Sequence, residues 1–208
     1  MEDALPKLPR KTGRPLSFDR DAALEQAMLL FWRHGYESTS LSDLTAAMGV
    51  TPPSIYAAFG DKRRLFLAAV HRYLSGPVTA ETIIEGAGTA REAARQLLEG
   101  SAIAFTGTQT PPGCLLASGA ISCSAEAADV QAELAALRGG IEARLAKRIA
   151  RGKTEGELPG GTDAEALAGF VMAMIQGLST LARDGASREK LLRVAANAML
   201  AWPSGPSA

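Results

Sequence analysis

Residues that carry most enzymatic and metal chemistry are scarce in this chain of 208 residues, which has two histidines and two cysteines. His34 and His71 both fall before residue 76, so the remainder offers no imidazole for a general base or a transition-metal site. Cys114 and Cys123 are too few for a disulfide scaffold and lack CxxC spacing, as expected in a reducing compartment. No GxxxxGK(S/T), GxSxG or HExxH occurs, so the usual NTPase, hydrolase and metalloprotease signatures are missing. No enzyme activity, metal or cofactor is expected. Net charge is absent too, with 22 Lys+Arg against 22 Asp+Glu. That excludes a generally basic nucleic-acid coat, although a small local patch can still neutralise phosphates. The start of the chain is charged and proline-containing, without the apolar core of a signal peptide. The longest uncharged run, Ala166 to Ala182, falls just short of the ~18 residues of a membrane span. It reads as a helix buried in protein, and the expectation is a cytoplasmic chain with no membrane partner.

Period-two alternation and β-branched runs are nearly absent, whereas helix start and stop signals are frequent. Asp19 to His34 places Ala23, Ala27, Leu30 and Phe31 on one face, with Gly35 as a left-handed cap. Ser40 and Asp43 form a capping box for Leu41–Met48. Gly49 ends that helix and Thr51 begins the next. Another helix runs from Lys62 to Leu74, before Gly76-Pro77. Beyond it, Thr89 with Glu92 opens a helix to about Phe105, and "TGTQTPPGC" is a loop. A helix from Cys114 to Cys123 follows, then a long one from about Ala125 to Lys153 and the loop "EGELPGG". Thr162 with Glu165 reads as a third capping box, heading the uncharged helix. The last helix starts at Ser187. The expectation is an all-α protein of about nine helices. Residues 1–17 form a basic arm, 18–75 a helix-turn-helix head, and 76–208 a helical body for effector binding and dimerisation.

The stretch "TPPSIYAAFGDKRRL", residues 51–65, carries the functional signal. With Thr51 as N-cap, Pro52 and Pro53 take the first two helical positions, where amides have no intrahelical partner and proline loses nothing. Val50 and Ile55 make a hydrophobic staple, and with Leu44 and Met48 they give two short helices one apolar seam. Gly49 allows the sharp turn between them, as in a helix-turn-helix. The prolines also remove amides that would otherwise face a phosphate. The helix start should then act by shape and apolar contact, with Ser54 able to read a base edge. Phosphate anchors would be Thr39, Ser40, the Tyr56 hydroxyl and Lys62. Phe59, four residues after Ile55, reads as core. A helical adaptor that uses this head for protein contacts is the competing reading.

Residues 31–66, "FWRHGYESTSLSDLTAAMGVTPPSIYAAFGDKRRLF", resemble the DNA-binding head of TetR-type transcriptional regulators. The match rests on Phe31, Gly35, Tyr36, Thr39, Gly49-Val50, the Tyr56 and Phe59 pair, and Lys62 with Leu65. Thr45 and Met48 depart from the usual alanines, and Arg63 replaces the usual acid and could add a phosphate contact. The resemblance implies that the Pro52–Tyr56 helix enters the major groove, that Tyr56 and Lys62 hold phosphates, and that Arg14 reaches the neighbouring groove. It also implies a homodimer on a near-palindromic double-stranded operator, most often a repressor released by a small effector.

The body is read from helix faces. Phe170, Met174, Gly177 and Leu181, with Leu191, Val194, Ala198 and Trp202 of the last helix, suit a two-fold, four-helix dimer interface, favoured because two recognition helices are needed to read successive grooves; an ordinary monomer core is the competing reading. Effector contacts would be apolar, from Leu97, Ile103, Phe105, Leu116, Ile121 and Met172, with Gln176 as a polar anchor. "PPGCLLASGA" resembles a Gly-Cys-Leu motif of a TetR subgroup, in some members of which the cysteine senses oxidants or electrophiles. Cys114 at a helix start would have its thiolate favoured, and a structural role fits it too.

Overall fold

The structure, a computed structural model, describes residues 18–121 and 123–204. Among the described residues there are ten α-helices, two short 3-10 turns and no strand. Helices α1 (Arg20–His34), α2 (Leu41–Met48), α3 (Pro52–Phe59) and α4 (Lys62–Leu74) follow the expected boundaries. Asp19 caps α1 by accepting from the amides of Asp21 and Ala22. Gly35 ends it at φ 82°, ψ 172°, which is not the left-handed cap expected but an extended, positive-φ conformation that only glycine adopts readily. Ser40 and Asp43 form the full capping box on α2, and Gly49 turns out of α2 in the left-handed region, at φ 65°, ψ 32°. Phe31, Leu44, Ile55, Leu65 and Phe66 are fully buried together, with Val50 packed on them. The Phe31 and Phe66 rings meet edge to face at 5.0 Å. Burying each such side chain contributes about 1.5–3 kcal/mol, enough to fix how α2 and α3 sit on α1 and α4.

The rest comprises α5 (Ala80–Gly86), α6 (Ala90–Ala104), α7 (Leu115–Ser118), α8 (Ala128–Thr154), α9 (Ala164–Arg183) and α10 (Arg188–Ala198). Helix α5, capped by Thr79 and Thr82, has no counterpart in the sequence reading. The Cys114–Cys123 helix shrinks to the single turn of α7, because the chain leaves the helix at Gly119, whose carbonyl accepts the Tyr36 amide instead. Two capping assignments also change. Asp163, not Thr162, caps α9, since its carboxylate accepts from Glu165 and Ala166 while the Thr162 carbonyl takes Lys153 Nζ. Thr89 does cap α6, but Glu92 turns to Arg95 and Gln96 and leaves the box half made.

Helix α9 packs on α6, α8 and α10, and α7 lies between α1, α4, α8 and α9. A buried pair, Arg148 Nη2 to Glu157 Oε1 at 2.9 Å, ties α8 to the start of α6, where Glu157 also accepts the Ala90 amide. The α9 window of mean hydropathy 1.4 is long and apolar enough to cross a membrane, yet only 28% of it is buried within the chain. The expected burial of this helix is therefore one-sided: Ala168, Val171, Leu178 and Ala182 face inward, while an apolar stripe remains outside.

Candidate nucleic-acid interface and apolar cavity

The proline-started turn of α3 stands at the surface. Thr51, Pro52 and Pro53 are exposed, Tyr56 is 51% exposed, and Ser54 is half-buried, while Ile55 and Phe59 face the core. The backbone here offers less than even the prolines imply. The Ser54 and Ile55 amides both donate to the Thr51 carbonyl, at 3.0 and 3.2 Å, so no free amide remains on the first helical turn, Pro52 to Ile55. Its donors are hydroxyls: Tyr56, and the Thr51 and Ser54 pair 2.9 Å apart. Thr51 therefore caps through its backbone position, not through its side chain.

Lys62 completes the surface. Its ammonium lies 4.5 Å from the centre of the Tyr36 ring and 3.5 Å from the Glu37 carbonyl. Desolvation pulls its pKa down, and the Glu37 charge pushes it back up. Ser40 is exposed at the start of α2, with its hydroxyl shared with Asp43. Hydrogen bonds from Ser40 hold the Asp43 carboxyl below its ordinary range.

Three expected contacts need correction or fall away. Thr39 is 1% exposed and its hydroxyl donates to the Gly35 carbonyl at 2.6 Å, so the side chain braces the α1–α2 turn instead of facing a phosphate. Arg63 is paired with Asp129 at the start of α8, so it bridges elements and does not add a phosphate anchor. Arg14 lies outside the described residues.

An apolar cavity of ≈ 370 Å³ opens where the two sets of helices meet. Leu97, Phe105, Cys114, Leu116, Met172 and Gln176, six of the eight residues singled out from sequence, line it. Ile103 and Ile121 do not; they are 49% and 62% exposed on other surfaces. Sequence reasoning missed Trp32 of α1, Tyr73 of α4 and Arg138 of α8. The aromatic pair sits on helices assigned to the head and was given no role, and a lone arginine in a long amphipathic helix gives no periodic signal. Two larger depressions, ≈ 560 and ≈ 540 Å³, lie along α8 among Glu142, Arg144, Lys147 and Arg151, and neither reaches α1 or α4.

The Tyr73 hydroxyl donates to Cys114 Sγ at 3.2 Å, and the Cys114 amide donates to Ser179 Oγ at 2.9 Å. Burial pushes the Cys114 thiol up, outweighing the Tyr73 hydroxyl, the Ala117 and Leu116 amides and Arg138, which pull it down. The expected thiolate-favouring helix start is thus overturned by desolvation on a single-turn helix. Burial likewise raises the Tyr73 phenol, with the neighbouring Cys114 adding to it.

Around the cavity, α1 is fastened to the later helices by a set of long-range bonds. Trp32 Nε1 donates to the Gly113 carbonyl at 3.2 Å, and Arg183 donates to the Trp32 and Arg33 carbonyls at 3.1 and 3.2 Å. Glu37 accepts both the amide and the hydroxyl of Ser124 at 3.0 Å. On the far side of the molecule, Phe170, Met174 and Leu181 are half-buried and Gly177 is exposed on α9, beside half-buried Val194 of α10. Leu191 is fully buried, and Ala198 and Trp202 are buried, so these three belong to the chain's own core and not to an outer face.

Against known proteins, residues 23–69 match the family model described as bacterial regulatory proteins, tetR family. Residues 91–198 match a tetracyclin repressor-like C-terminal domain. The chain is 37% identical over 197 residues to the HTH-type transcriptional repressor ComR of Escherichia coli K12, covering 93% of each protein. It is 28% identical over 193 residues to the repressor BdcR of the same strain, covering 92% of this chain and 93% of that one. Among solved structures, a cysteine mutant of the TetR family regulator CifR complexed with 26-bp double-strand operator DNA superposes with a TM-score of 0.87 at 42% identity. That alignment covers 92% of this chain and all of that one.

Proposed function

The chain belongs to the TetR family of bacterial transcriptional regulators, and from that premise we propose a dimeric repressor that a small molecule in the α1/α4 cavity releases from its operator. It is a DNA-binding regulator and not an enzyme. The similarity to CifR, solved on operator DNA, and to the repressors ComR and BdcR supports this class over a helical adaptor.

In this reading the Pro52–Tyr56 turn lies in the major groove. Because that turn has no free amide, it contributes shape, apolar contact from Pro52 and Pro53, and hydroxyls from Thr51, Ser54 and Tyr56. Lys62 and Ser40 hold flanking phosphates, and Arg14 reaches the neighbouring groove. A second copy covers the apolar stripe Phe170, Met174, Gly177, Leu181 and Val194, where spacings of four, three and four along α9 keep one face. Two copies place two α3 helices about one helical turn, ~34 Å, apart on a near-palindromic site. In this reading the protein works in the cytoplasm.

The observation that carries ligand control is that Trp32 and Tyr73, on the helices that position the DNA-reading pair, are walls of the cavity. Their rings meet edge to face at 4.8 Å. A ligand that displaces them has differential contacts with two orientations of the head, which is what coupling requires. The test is a compound screen by thermal shift, followed by operator anisotropy. Compounds that raise the melting temperature should weaken operator binding. If every stabilising compound leaves DNA affinity unchanged, the cavity does not govern release.

A further inference from the structure

We propose that the cavity is built for a small organic anion, a carboxylate carried on an apolar, ring-sized body, and that Arg138 is its anchor. This rests on the reading of the cavity as the effector site and names the chemistry it selects.

No acidic residue lines the cavity, and Arg138 is its one charged side chain. The arginine is half-buried and forms no ion pair among the described residues. A guanidinium has five N–H donors. One of them, on Nη1, is fixed on the Leu116 carbonyl at 2.8 Å, which orients the fork from within the wall. Among the described residues, that is its one hydrogen bond. An unpaired cation beside apolar walls carries a desolvation penalty that an incoming carboxylate offsets with paired, charge-assisted hydrogen bonds.

The other polar groups of the lining, among them Ser101 and Thr79, are uncharged. The Tyr73 hydroxyl is engaged with Cys114 Sγ, and the thiol is held protonated by its burial. Gln176, on the α9 wall, holds only a long 3.5 Å contact to the Met172 carbonyl and can turn its amide to a second ligand atom. Trp32 and Phe105 suit a flat apolar body. The volume, ≈ 370 Å³, equals about a dozen waters at ~30 Å³ each, which admits one ring and a short acid arm. Like charge excludes an amine of the same shape.

Three probes of one shape separate the possibilities: phenylacetate, phenylacetamide and phenethylamine, titrated into the full-length protein by calorimetry and thermal shift. The acid should bind about tenfold or more tighter than the amide, the value of one charge-assisted hydrogen bond, and the amine should not bind. In Arg138→Gln the acid should lose that advantage and bind no better than the amide, while Arg138→Lys should keep part of it. An amide that equals the acid on the wild-type protein, a preference that survives Arg138→Gln, or no binding by any probe overturns the proposal. The wild-type comparison decides alone if Arg138→Gln does not fold. Operator release is read separately. Acid binding without release contradicts control of DNA and leaves the ligand class standing, whereas release by the amide at equal affinity does the reverse.

Discussion

Lys62 and Arg63 are adjacent at the start of α4, but neighbouring side chains leave a helix roughly 100° apart. One lies over the Tyr36 ring, between α1 and α2; the other reaches Asp129 of α8. A sequence reading sees two cations after a recognition helix and assigns both to phosphate. The partner of Arg63 lies 66 residues away, so no local pattern marks it. Lys62→Ala should weaken binding to all DNA sequences alike and lower the slope of log affinity against log salt by ~0.9. Arg63→Ala should leave that slope unchanged, as measured by anisotropy from low to moderate salt. Cys114 provides a second test at this scale. Its pKa is raised in the folded chain, so the folded state holds this proton more tightly than the unfolded state. The associated stability is present below the ordinary thiol range and is lost as pH rises through and above it. Melting temperature from pH 7 to pH 10 should therefore fall more steeply for the wild type than for Cys114→Ala. Equal slopes would show that the thiol ionises freely in the fold.

At the scale of elements, the first four helices were legible almost to the residue, because their ends are set by local chemistry: Asp19, the Ser40 and Asp43 box, Gly49, and prolines at the start of α3. What failed was where tertiary bonds decide an end. The helix after Cys114 stops after one turn at Gly119, which is committed to Tyr36, and α9 starts from Asp163 although Thr162 has the more familiar spacing to Glu165. Asp163→Ala should cost about 1 kcal/mol and Thr162→Ala much less, readable as denaturation midpoints. Glycines separate in the same way. At Gly49 an added Cβ meets nothing within 4 Å, so Gly49→Ala pays only the left-handed backbone, about 1 kcal/mol. At Gly113, also at positive φ, it would lie 2.8 Å from Arg183 Cγ and 2.9 Å from the Ser179 carbonyl. Gly113→Ala should therefore lower the melting temperature clearly more than Gly49→Ala; the reverse order would contradict the packing described between α7 and α9.

For the whole molecule, the six cavity residues chosen from sequence came together because apolar faces of α6, α7 and α9 converge. Trp32, Tyr73 and Arg138 could not be chosen, since their membership depends on how distant helices meet. The outer stripe of α9 was legible as apolar, and the structure removes Leu191 of α10 from the face beside it. If a second copy covers that stripe, Leu181→Glu should shift the sedimentation of the protein from dimer to monomer and weaken operator binding at least tenfold, while the cavity still binds its ligand. A dimer that persists through Leu181→Glu would place the interface elsewhere.

The central claim is that α3, with a proline start and no free amide, reads duplex DNA from the major groove in two copies. Methylation interference at guanine N7, which lies in that groove, tests it most directly on DNA from upstream of the protein's own gene. The predicted result is two symmetric clusters of interference about one helical turn apart. Sequence-independent binding, or binding indifferent to N7 methylation, would contradict it.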